Sequence, residues 1–259
     1  MDTSLFNSII FGPIKSRRLG VSLGVNLPPA QGKLCNFDCV YCECGMNAER
    51  RTRQRIPSRE EVRTALEQQL EAMCSRGDLL DVITFAGNGE PTLHPHFPVI
   101  IDDTIALRNR YYPSAAISVL SNATQLHRPE VVSALMRIEN NIQKIDAGRN
   151  ETMRLIDKPT SPLHCIERVA EQCRQFDGEV IIQTLFLRGT IDGAAVDNST
   201  DEEVQAWLEV VAAIAPRSVM IYTIDRPTPL DTLQKVPLDR LNAIAALVHR
   251  LGIKTSVAG

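Results

Sequence analysis

The chain has 259 residues, of which 44% are hydrophobic and 23% are charged, and its formal net charge at pH 7 is -3. This length suits one nearly closed α/β barrel, so we expect a single domain over residues 1–259. No apolar stretch approaches the roughly 18 to 20 residues that cross a bilayer, so no membrane segment is expected, and the small net charge neither implies nor excludes nucleic acid.

Strand-like apolar runs alternate with helix-like periodic segments along the chain. We expect strands at 19–25, 79–87, 115–122, 141–148, 179–187 and 218–225, followed by a short terminal strand in "IKTSVAG". Apolar side chains at helical spacing lie between them, most clearly at Val62, Leu66, Leu70 and Met73, at Val204, Trp207, Leu208 and Val211, and at Leu241, Ile244, Ala245, Val248 and Leu251. Such alternation predicts βαβ units. The expected fold class is therefore α/β, a parallel (β/α)6 partial TIM barrel with a short additional C-terminal strand.

The polar motifs of the chain follow the predicted strands. A group of cysteines comes after the first strand, "GNGEPT" after the second and "SNAT" after the third. "DAGR", "RGT" and "DRPTP" follow the fourth, fifth and sixth strands. In parallel α/β folds ligands bind at the carboxyl ends of the strands, so these motifs are expected to meet in one functional site.

Four of the seven cysteines lie in "CNFDCVYCECG", residues 35–45, and three of them, Cys35, Cys39 and Cys42, have the spacing C-x3-C-x2-C. An odd number of clustered cysteines does not fit a disulfide framework. The N-terminus has its basic residues after the apolar run, the reverse of a secretory signal, so a cytoplasmic location is expected. Structural zinc sites need four ligands, and no second pair completes the set. A cubane iron–sulfur cluster with three cysteines leaves one iron open for a cosubstrate.

"CNFDCVYC" resembles the signature of the radical S-adenosylmethionine (SAM) enzymes, and "GNGEPT" resembles their glycine-rich glutamate motif in the same order. The resemblance covers the predicted barrel, about residues 19–229. The upstream "FGPIKSRRLGVSLGVNLPP" is also similar to the subgroup related to wyosine-base synthesis. That subgroup has further N-terminal cysteines for a second cluster, whereas no cysteine precedes Cys35 here, so wyosine synthesis itself is not expected.

The resemblance implies that Cys35, Cys39 and Cys42 bind one 4Fe-4S cluster, whose fourth iron binds SAM. An electron from a reducing partner such as flavodoxin or ferredoxin would pass through the cluster and cleave SAM to methionine and a 5′-deoxyadenosyl radical, which abstracts hydrogen from a substrate. Tyr41 would lie beside the adenine. The second motif would hold the methionine amino group, with Glu90 as the acceptor, through Gly87, Asn88, Gly89, Glu90 and Pro91.

Strand alternation extends the predicted site. In "NIQKIDAG" the side chains of Lys144 and Asp146 share one face, and we expect them to be paired because either charge alone is costly to bury. Gln183 is a polar residue within an apolar run. We expect Ser121, Asn122 and Asp146 near the ribose or carboxylate of SAM, and Gln183 deeper in the same pocket.

The remaining cysteines have other interpretations. Cys44 is either a thiol that lies near the cluster by chance or a catalytic thiol. Cys74, Cys165 and Cys173 accompany apolar helix stripes, so we expect all three in the core rather than in a second cluster. Residues 157–159 are expected to be ordinary surface.

An arginine run follows the cysteine loop at residues 49–60. It is either a solvated surface or a clamp for phosphates near the site, and Arg17 and Arg18 would extend it. Its members are Arg50, Arg51, Arg53, Arg55 and Arg59.

We therefore expect a radical SAM enzyme of the oxidoreductase or transferase type. Its substrate would be a peptide, a tRNA base or a small metabolite, and the sequence does not choose among them. Two other classes remain open: a structural zinc-binding module, and an iron–sulfur electron-transfer protein whose cluster has complete ligation.

Overall fold

The computed structural model describes residues 5–16, 19–50 and 52–259. In this part of the chain the strands are β1 (Ile10–Ser16), β2 (Gly20–Val25), β3 (Val82–Phe85), β4 (Ala116–Ser121), β5 (Asn140–Lys144), β6 (Ile181–Ile191), β7 (Ala194–Asp197), β8 (Ser218–Thr223), β9 (Leu233–Lys235) and β10 (Lys254–Ala258). The α-helices are α1 (Arg59–Arg76), α2 (Phe97–Tyr111), α3 (Pro129–Leu135), α4 (Asn150–Asp157), α5 (Ile166–Cys173), α6 (Asp201–Ile214) and α7 (Leu238–Arg250).

Parallel pairing dominates the sheet. The strands β2, β3, β4, β5, β6, β8 and β10 lie side by side in that order, and each pairs in parallel with the next. The structure thus confirms the predicted α/β class, the order of the strands and the additional C-terminal strand. Because the strands are parallel, their carboxyl ends lie at the same edge of the sheet.

Antiparallel additions to the sheet were not predicted. Strand β1 pairs with β2 at the edge, and its register shifts between Phe11 and Ile14, where Gly12 and Pro13 interrupt the strand pattern. Strand β6 continues past the predicted end at residue 187 to Ile191, and this extension pairs antiparallel with β7 and β9. The extension adds a small antiparallel sheet beyond the carboxyl end of β6.

Two of the helices begin at residues whose side chains cap them. Ser58 Oγ accepts from the Glu61 amide at 3.2 Å, and the Glu61 carboxylate accepts from the Ser58 amide at 2.7 Å, which is a capping box at the start of α1. Thr200 caps α6 by accepting from the Glu203 amide at 3.3 Å. Within the described part of the chain, every helix is too short or too polar to cross a membrane.

The two faces of the sheet differ in polarity. Leu23, Ile83 and Phe85 belong to the apolar core, together with the buried side chains of α1 and the other helices. Alternation along β2 turns Ser22 to the opposite face, where its hydroxyl lies 2.8 Å from Thr84 Oγ1. We call this opposite face the inner face; it carries the polar groups that lead to the site described next.

Candidate cofactor site

The cysteine loop, residues 33–45, connects the end of β2 to the segment before α1. Its thiols are all free; Cys39 is buried, and Cys35 and Cys42 are partly exposed. Two successive turns shape the loop, because the Cys42 amide donates to the Cys39 carbonyl at 3.0 Å and the Gly45 amide donates to the Cys42 carbonyl at 2.9 Å. The three predicted ligands therefore lie on one tightly folded segment.

The cysteine loop caps the end of helix α4. The Val40 amide donates to the Ile156 carbonyl at 2.9 Å, and the Asp38 amide donates to the Asp157 carbonyl at 3.0 Å. The last carbonyls of a helix have no partner within the helix, so the loop satisfies groups that would otherwise need water. This contact buries Asp157, and the expectation that residues 157–159 are ordinary surface is therefore wrong at Asp157, which is 2% exposed.

The glycine-rich motif pairs with the start of the cysteine loop. Leu34 and Gly89 form a parallel bridge; the Leu34 amide donates to the Asn88 carbonyl at 3.0 Å and the Glu90 amide donates to the Leu34 carbonyl at 2.9 Å. Gly89 has φ +148°, and a Cβ there would lie 1.8 Å from the Leu34 oxygen. Only glycine permits so close an approach. The structure thus brings the two sequence motifs into direct contact.

Glu90 is a buried carboxylate at the centre of this contact. Its Oε1 accepts from the Thr92 amide at 3.0 Å and from the Thr92 hydroxyl, and its Oε2 accepts from the Asn122 amide at 2.6 Å. Burial raises the pKa of Glu90, although these hydrogen bonds oppose the shift. The Ser121 side chain is a further hydrogen-bonding partner of Glu90, so the protein itself supplies about four donors, as many as an ionised carboxylate accepts.

The residues after β4 bind the same two loops. Asn122 Nδ2 lies 3.8 Å from Cys35 Sγ and donates to Asn36 Oδ1 at 2.8 Å. Ser121 Oγ accepts from the Ala123 amide at 3.1 Å, which stabilises the turn that follows the strand, and the same side chain hydrogen-bonds Glu90. Of these two predicted residues, Asn122 is the one whose side chain contacts the cysteine loop, at Cys35 and Asn36.

Asn88 and Pro91, also predicted to contact the cofactor, have clear structural functions. The Asn88 side chain donates to the Phe6 and Pro29 carbonyls at 2.9 Å each and accepts from the Phe6 amide at 2.8 Å. Pro91 begins a 3-10 turn that ends at Leu93. Gly87 packs against Asn26, since a Cβ at Gly87 would lie 2.3 Å from Asn26 Oδ1. These contacts favour a scaffolding function for Asn88.

Lys144 and Asp146 are paired, as the strand alternation predicted. Lys144 Nζ lies 2.7 Å from Asp146 Oδ2 and also contacts Asp157 Oδ1. Tyr41 donates its hydroxyl to Asp146, whose other oxygen accepts from the Leu185 amide at 2.9 Å. The network joins β5 to the cysteine loop through Tyr41 and to the end of α4 through Asp157.

Burial and charge have opposing effects in this network. Burial tends to lower the pKa of Lys144, but Asp146 and Asp157 more than reverse this, so its pKa lies well above the usual range. Burial raises the pKa of Asp157 to about 7, with Lys144 opposing the shift. Lys144 Nζ also lies 5.3 Å from the Phe37 ring centroid and 5.4 Å from that of Tyr41, within cation–π distance. Lys144 is therefore a protonated cation beside the cysteine loop.

Gln183 lies next to Lys144 on the inner face. It is directly opposite Lys144 in the parallel register of β5 and β6, and it is buried. Its neighbour on the other side is Met220 of β8. The polar residue in an apolar run is thus explained by its place on the inner face, next to the charged network.

Lys33 was not singled out from the sequence, yet it lies inside the cysteine loop. Its side chain is 1% exposed; its ammonium donates to the Gly45 carbonyl at 2.8 Å and lies 3.3 Å from Asp38 Oδ1. Burial tends to lower the pKa of Lys33, but Cys42, Cys35 and Asp38 together raise it. A lysine next to a cysteine motif is usually solvated, so the sequence contained no signal of this burial.

The four thiols of the loop differ in acidity. Burial raises the pKa of Cys35 to about 12 and that of Cys39 well above the usual range. Hydrogen bonding between the Cys42 and Cys44 thiols lowers the pKa of Cys42 to about 6 and raises that of Cys44. Cys44 is buried, and its Sγ lies 3.3 Å from the Gly87 carbonyl oxygen, so it also contacts the glycine-rich motif.

The three helical cysteines have different environments. Cys173 is buried, as predicted, and Cys165 is partly exposed. Cys74 is exposed, so the prediction that it lies in the core is wrong. Met73 occupies the buried stripe of α1, and the next residue of a helix is turned about 100° away from it.

Two arginines of the run are paired with nearby carboxylates. Arg55 forms a bidentate pair with Glu61 at 2.6 Å, and Arg59 pairs with Asp103 at 2.7 Å. Arg17, Arg18 and Arg51 lie outside the described residues. The observed pairs favour the solvated-surface interpretation over a phosphate clamp.

The donor set fits an iron–sulfur cluster better than a single ion. Among the described residues, no three His, Cys, Asp or Glu side chains are grouped so that they could hold one metal ion. A cubane binds each thiolate at a different iron, so its ligands need not converge on one point. The buried cations Lys33 and Lys144 also lie where they would offset the negative charge of thiolates.

Comparison with known proteins gives a family match over most of the chain. The sequence model of the Radical SAM superfamily matches residues 32–209, a segment that contains the cysteine loop and the glycine-rich motif. The chain is 29% identical over 222 residues to a UPF0026 protein of Helicobacter pylori, covering 85% of this chain and 67% of that protein. It is equally similar to a protein of Brachyspira hyodysenteriae named GTPase Obg, of which it spans 30%.

Solved structures share the fold at low identity. A radical SAM methyltransferase from Sphaerobacter thermophilus matches with a TM-score of 0.68 and 15% identity, covering 92% of this chain and 65% of that one. Streptococcus suis SuiB bound to S-adenosylmethionine matches with a TM-score of 0.63 and 15% identity, covering 91% and 50%. TYW1 with a lysine-pyruvate adduct bound matches with a TM-score of 0.58 and 13% identity, covering 88% and 73%.

Proposed function

Because the chain belongs to the radical SAM superfamily, we propose that it binds one 4Fe-4S cluster through Cys35, Cys39 and Cys42 and cleaves SAM reductively to act on a substrate. The observation that carries the proposal is the backbone pairing of Leu34 with Gly89, which brings the cysteine loop against "GNGEPT". Bound together, the cluster and SAM supply a radical that abstracts a hydrogen atom from the substrate.

Glu90 would bind the methionine ammonium of SAM. Donors from Thr92, Asn122 and Ser121 already contact the carboxylate, so the ammonium of SAM would replace one of the two hydroxyl donors or share its oxygen. The carboxylate is held rigidly, because those partners belong to the turns at the carboxyl ends of β3 and β4. An ammonium that donates to a buried carboxylate makes a charge-assisted hydrogen bond, which is stronger than a neutral one.

Lys144 would bind an anionic or acceptor group of SAM on the inner face. An ammonium has three donors, and two are directed at Asp146 and Asp157. Asp146 fixes Tyr41 through its hydroxyl, which supports the proposed place of Tyr41 beside the adenine. Gln183, opposite Lys144, would line the deeper part of the pocket.

The lysine–pyruvate adduct in the TYW1 structure raises the question of covalent lysine chemistry in this chain. A lysine must be neutral to attack a carbonyl, and enzymes achieve this by lowering its pKa. The pKa values of Lys33 and Lys144 are instead raised by the acidic groups that face them, in spite of burial. We therefore propose hydrogen bonding and charge compensation for both lysines, without an adduct.

We also propose a redox partner, a substrate class and a cellular location for the protein. A reducing protein such as flavodoxin or ferredoxin would supply the electron, in the cytoplasm. The carboxylate partners of Arg55 and Arg59 offset two charges of the run that could clamp phosphates, which favours a peptide or small metabolite over a tRNA base as the hydrogen donor.

Metal analysis and spectroscopy of the anaerobically reconstituted protein test this function. We expect about four irons and four sulfides per chain, and an electron paramagnetic resonance (EPR) signal of the reduced cluster that changes when SAM is added. One zinc per chain without colour would support the structural zinc module. A cluster whose spectrum ignores SAM would support an electron-transfer protein, and either result would overturn the proposal.

A further inference from the structure

Lys33 is a buried cation enclosed by the cysteine loop. Its side chain is 1% exposed, and its ammonium donates to the Gly45 carbonyl at 2.8 Å, so it joins the two ends of the loop. The second partner is the Asp38 carboxylate at 3.3 Å. Because a carbonyl and a carboxylate accept but do not donate, this geometry suits the protonated, positively charged form of the lysine.

The charge of Lys33 faces the thiols and is only partly offset by Asp38. The Cys42 side chain is a hydrogen-bonding partner of the Lys33 ammonium, whose positive charge favours the ionised forms of Cys42 and Cys35. The Asp38 side chain is 27% exposed, so water screens its charge, and the same oxygen accepts a further bond from the Asn47 amide at 2.8 Å. The Lys33 ammonium is thus shielded from water, whereas the Asp38 carboxylate that balances it is partly exposed.

We propose that Lys33 is a positioning and charge-compensating residue that raises the reduction potential of the cluster bound by Cys35, Cys39 and Cys42. The inference rests on the proposed function, which supplies the cluster. Reduction adds one negative charge to the cluster, and a buried positive charge nearby stabilises that charge with little screening. A higher potential makes it easier for a reducing partner to deliver the electron.

A purely mechanical function of Lys33 would have different consequences. If the lysine only ties Gly45 to the rest of the loop, its removal would change how much iron the protein holds and leave the potential of the bound cluster unaltered. If its charge matters, Lys33 and Asp38 must affect the potential with opposite signs. Asp38 should have the smaller effect, because its carboxylate is more exposed.

The test is a redox titration of the reconstituted full chain without SAM, monitored by EPR, with iron measured in each variant. We expect Lys33→Gln to shift the potential to more negative values, Lys33→Arg to restore it nearly to that of the wild type, and Asp38→Asn to shift it slightly to more positive values. Lys254→Gln, at an exposed lysine of β10, is the matched control and should leave it unchanged.

The iron content and the reduction potential of the Lys33 variants together support or overturn the inference. A Lys33→Gln variant with wild-type iron content and an unchanged potential would overturn it. If Lys33→Gln holds no iron, Lys33→Arg decides: wild-type iron and potential support a function of the charge, and loss of iron there too contradicts it. If the wild type itself forms no cluster, the proposed function fails and this inference fails with it, whereas a SAM-responsive cluster with an unchanged potential contradicts this inference alone.

Discussion

Gly89 approaches Leu34 so closely that a Cβ at position 89 would lie 1.8 Å from the Leu34 carbonyl oxygen. Leu34 directly precedes Cys35, the first predicted cluster ligand. Backbone hydrogen bonds on both sides of this contact make the glycine-rich motif a strand-like partner of the cysteine loop. The two motifs therefore depend on each other structurally.

Replacing Gly89 should be far more costly than replacing a glycine with free space around it. Gly89→Ala combines an unfavourable φ of +148° with an overlap against backbone, so we expect a loss of about 3 kcal/mol or more in the free energy of unfolding. Gly77→Ala is the control: Gly77 also has positive φ but no atom within 4 Å of an added Cβ, and should cost about 1 kcal/mol. Urea unfolding of the apoprotein measures both; equal losses would refute the close-contact explanation.

Lys144 should be the most sensitive member of its charged network. Lys144→Met leaves the carboxylates of Asp146 and Asp157 buried without their cation, and removing one partner of a buried pair costs about 3 to 5 kcal/mol. Asp157→Asn should cost less than about 1 kcal/mol, because Asp146 still neutralises the lysine. Chemical denaturation at neutral pH compares the two variants. A loss in Asp157→Asn as large as in Lys144→Met would show that the network is not organised around the lysine.

The free energy of unfolding of the apoprotein should depend on pH through the Asp157 carboxyl. Burial raises the pKa of this carboxyl from 3.8 to about 7. Between those values the folded protein binds more protons than the unfolded chain, so the contribution of Asp157 to stability falls as the pH rises. Asp157→Asn removes this titration, and we expect the variant to gain stability relative to the wild type between about pH 4.5 and pH 7.5. A constant difference over that range would contradict the raised pKa.

Glu90 should matter for SAM and for the fold. Glu90→Gln places an amide donor where the Thr92 or Asn122 amide also donates, which should cost about 1 to 3 kcal/mol of stability. Loss of the charge should weaken SAM binding by roughly one to two powers of ten. Calorimetric titration of SAM into reconstituted protein measures the affinity, with Glu60→Gln, at an exposed glutamate of α1, as the control. Unchanged affinity with an intact cluster would remove Glu90 from the site.

The periodic spacing of apolar residues predicted the parallel strands and the faces to which their side chains turn, because both depend on main-chain geometry. The parallel strands were predictable because their apolar runs are continuous, and the carboxyl-end rule then brought the motifs after β2, β3 and β4 together. Alternation along one strand was enough to pair Lys144 with Asp146. The antiparallel strands β1, β7 and β9 were missed: β1 contains a proline, while β7 and β9 are too short to show a pattern.

Burial of charged side chains could not be predicted from the sequence. Asp157 meets Lys144 only because α4 ends against the cysteine loop, and nothing in the sequence near residue 157 shows that contact. Lys33 is buried by the folding of its own loop around it, whereas lysines are mostly exposed. For Cys74 the error is the reverse, because burial was predicted and the residue is exposed. It adjoins a buried stripe of α1 without belonging to it.

Formation of 5′-deoxyadenosine is the decisive measurement of SAM cleavage by this protein. The protein would be reconstituted anaerobically with iron and sulfide, reduced with dithionite in the presence of SAM, and assayed for the product. We expect the nucleoside from the wild type and from Cys44→Ala, because Cys44 lies outside the predicted ligand set, and none from Cys39→Ala. A wild-type protein that holds a reducible four-iron cluster yet forms no 5′-deoxyadenosine, or a Cys39→Ala variant that forms it at the wild-type rate, would contradict the account.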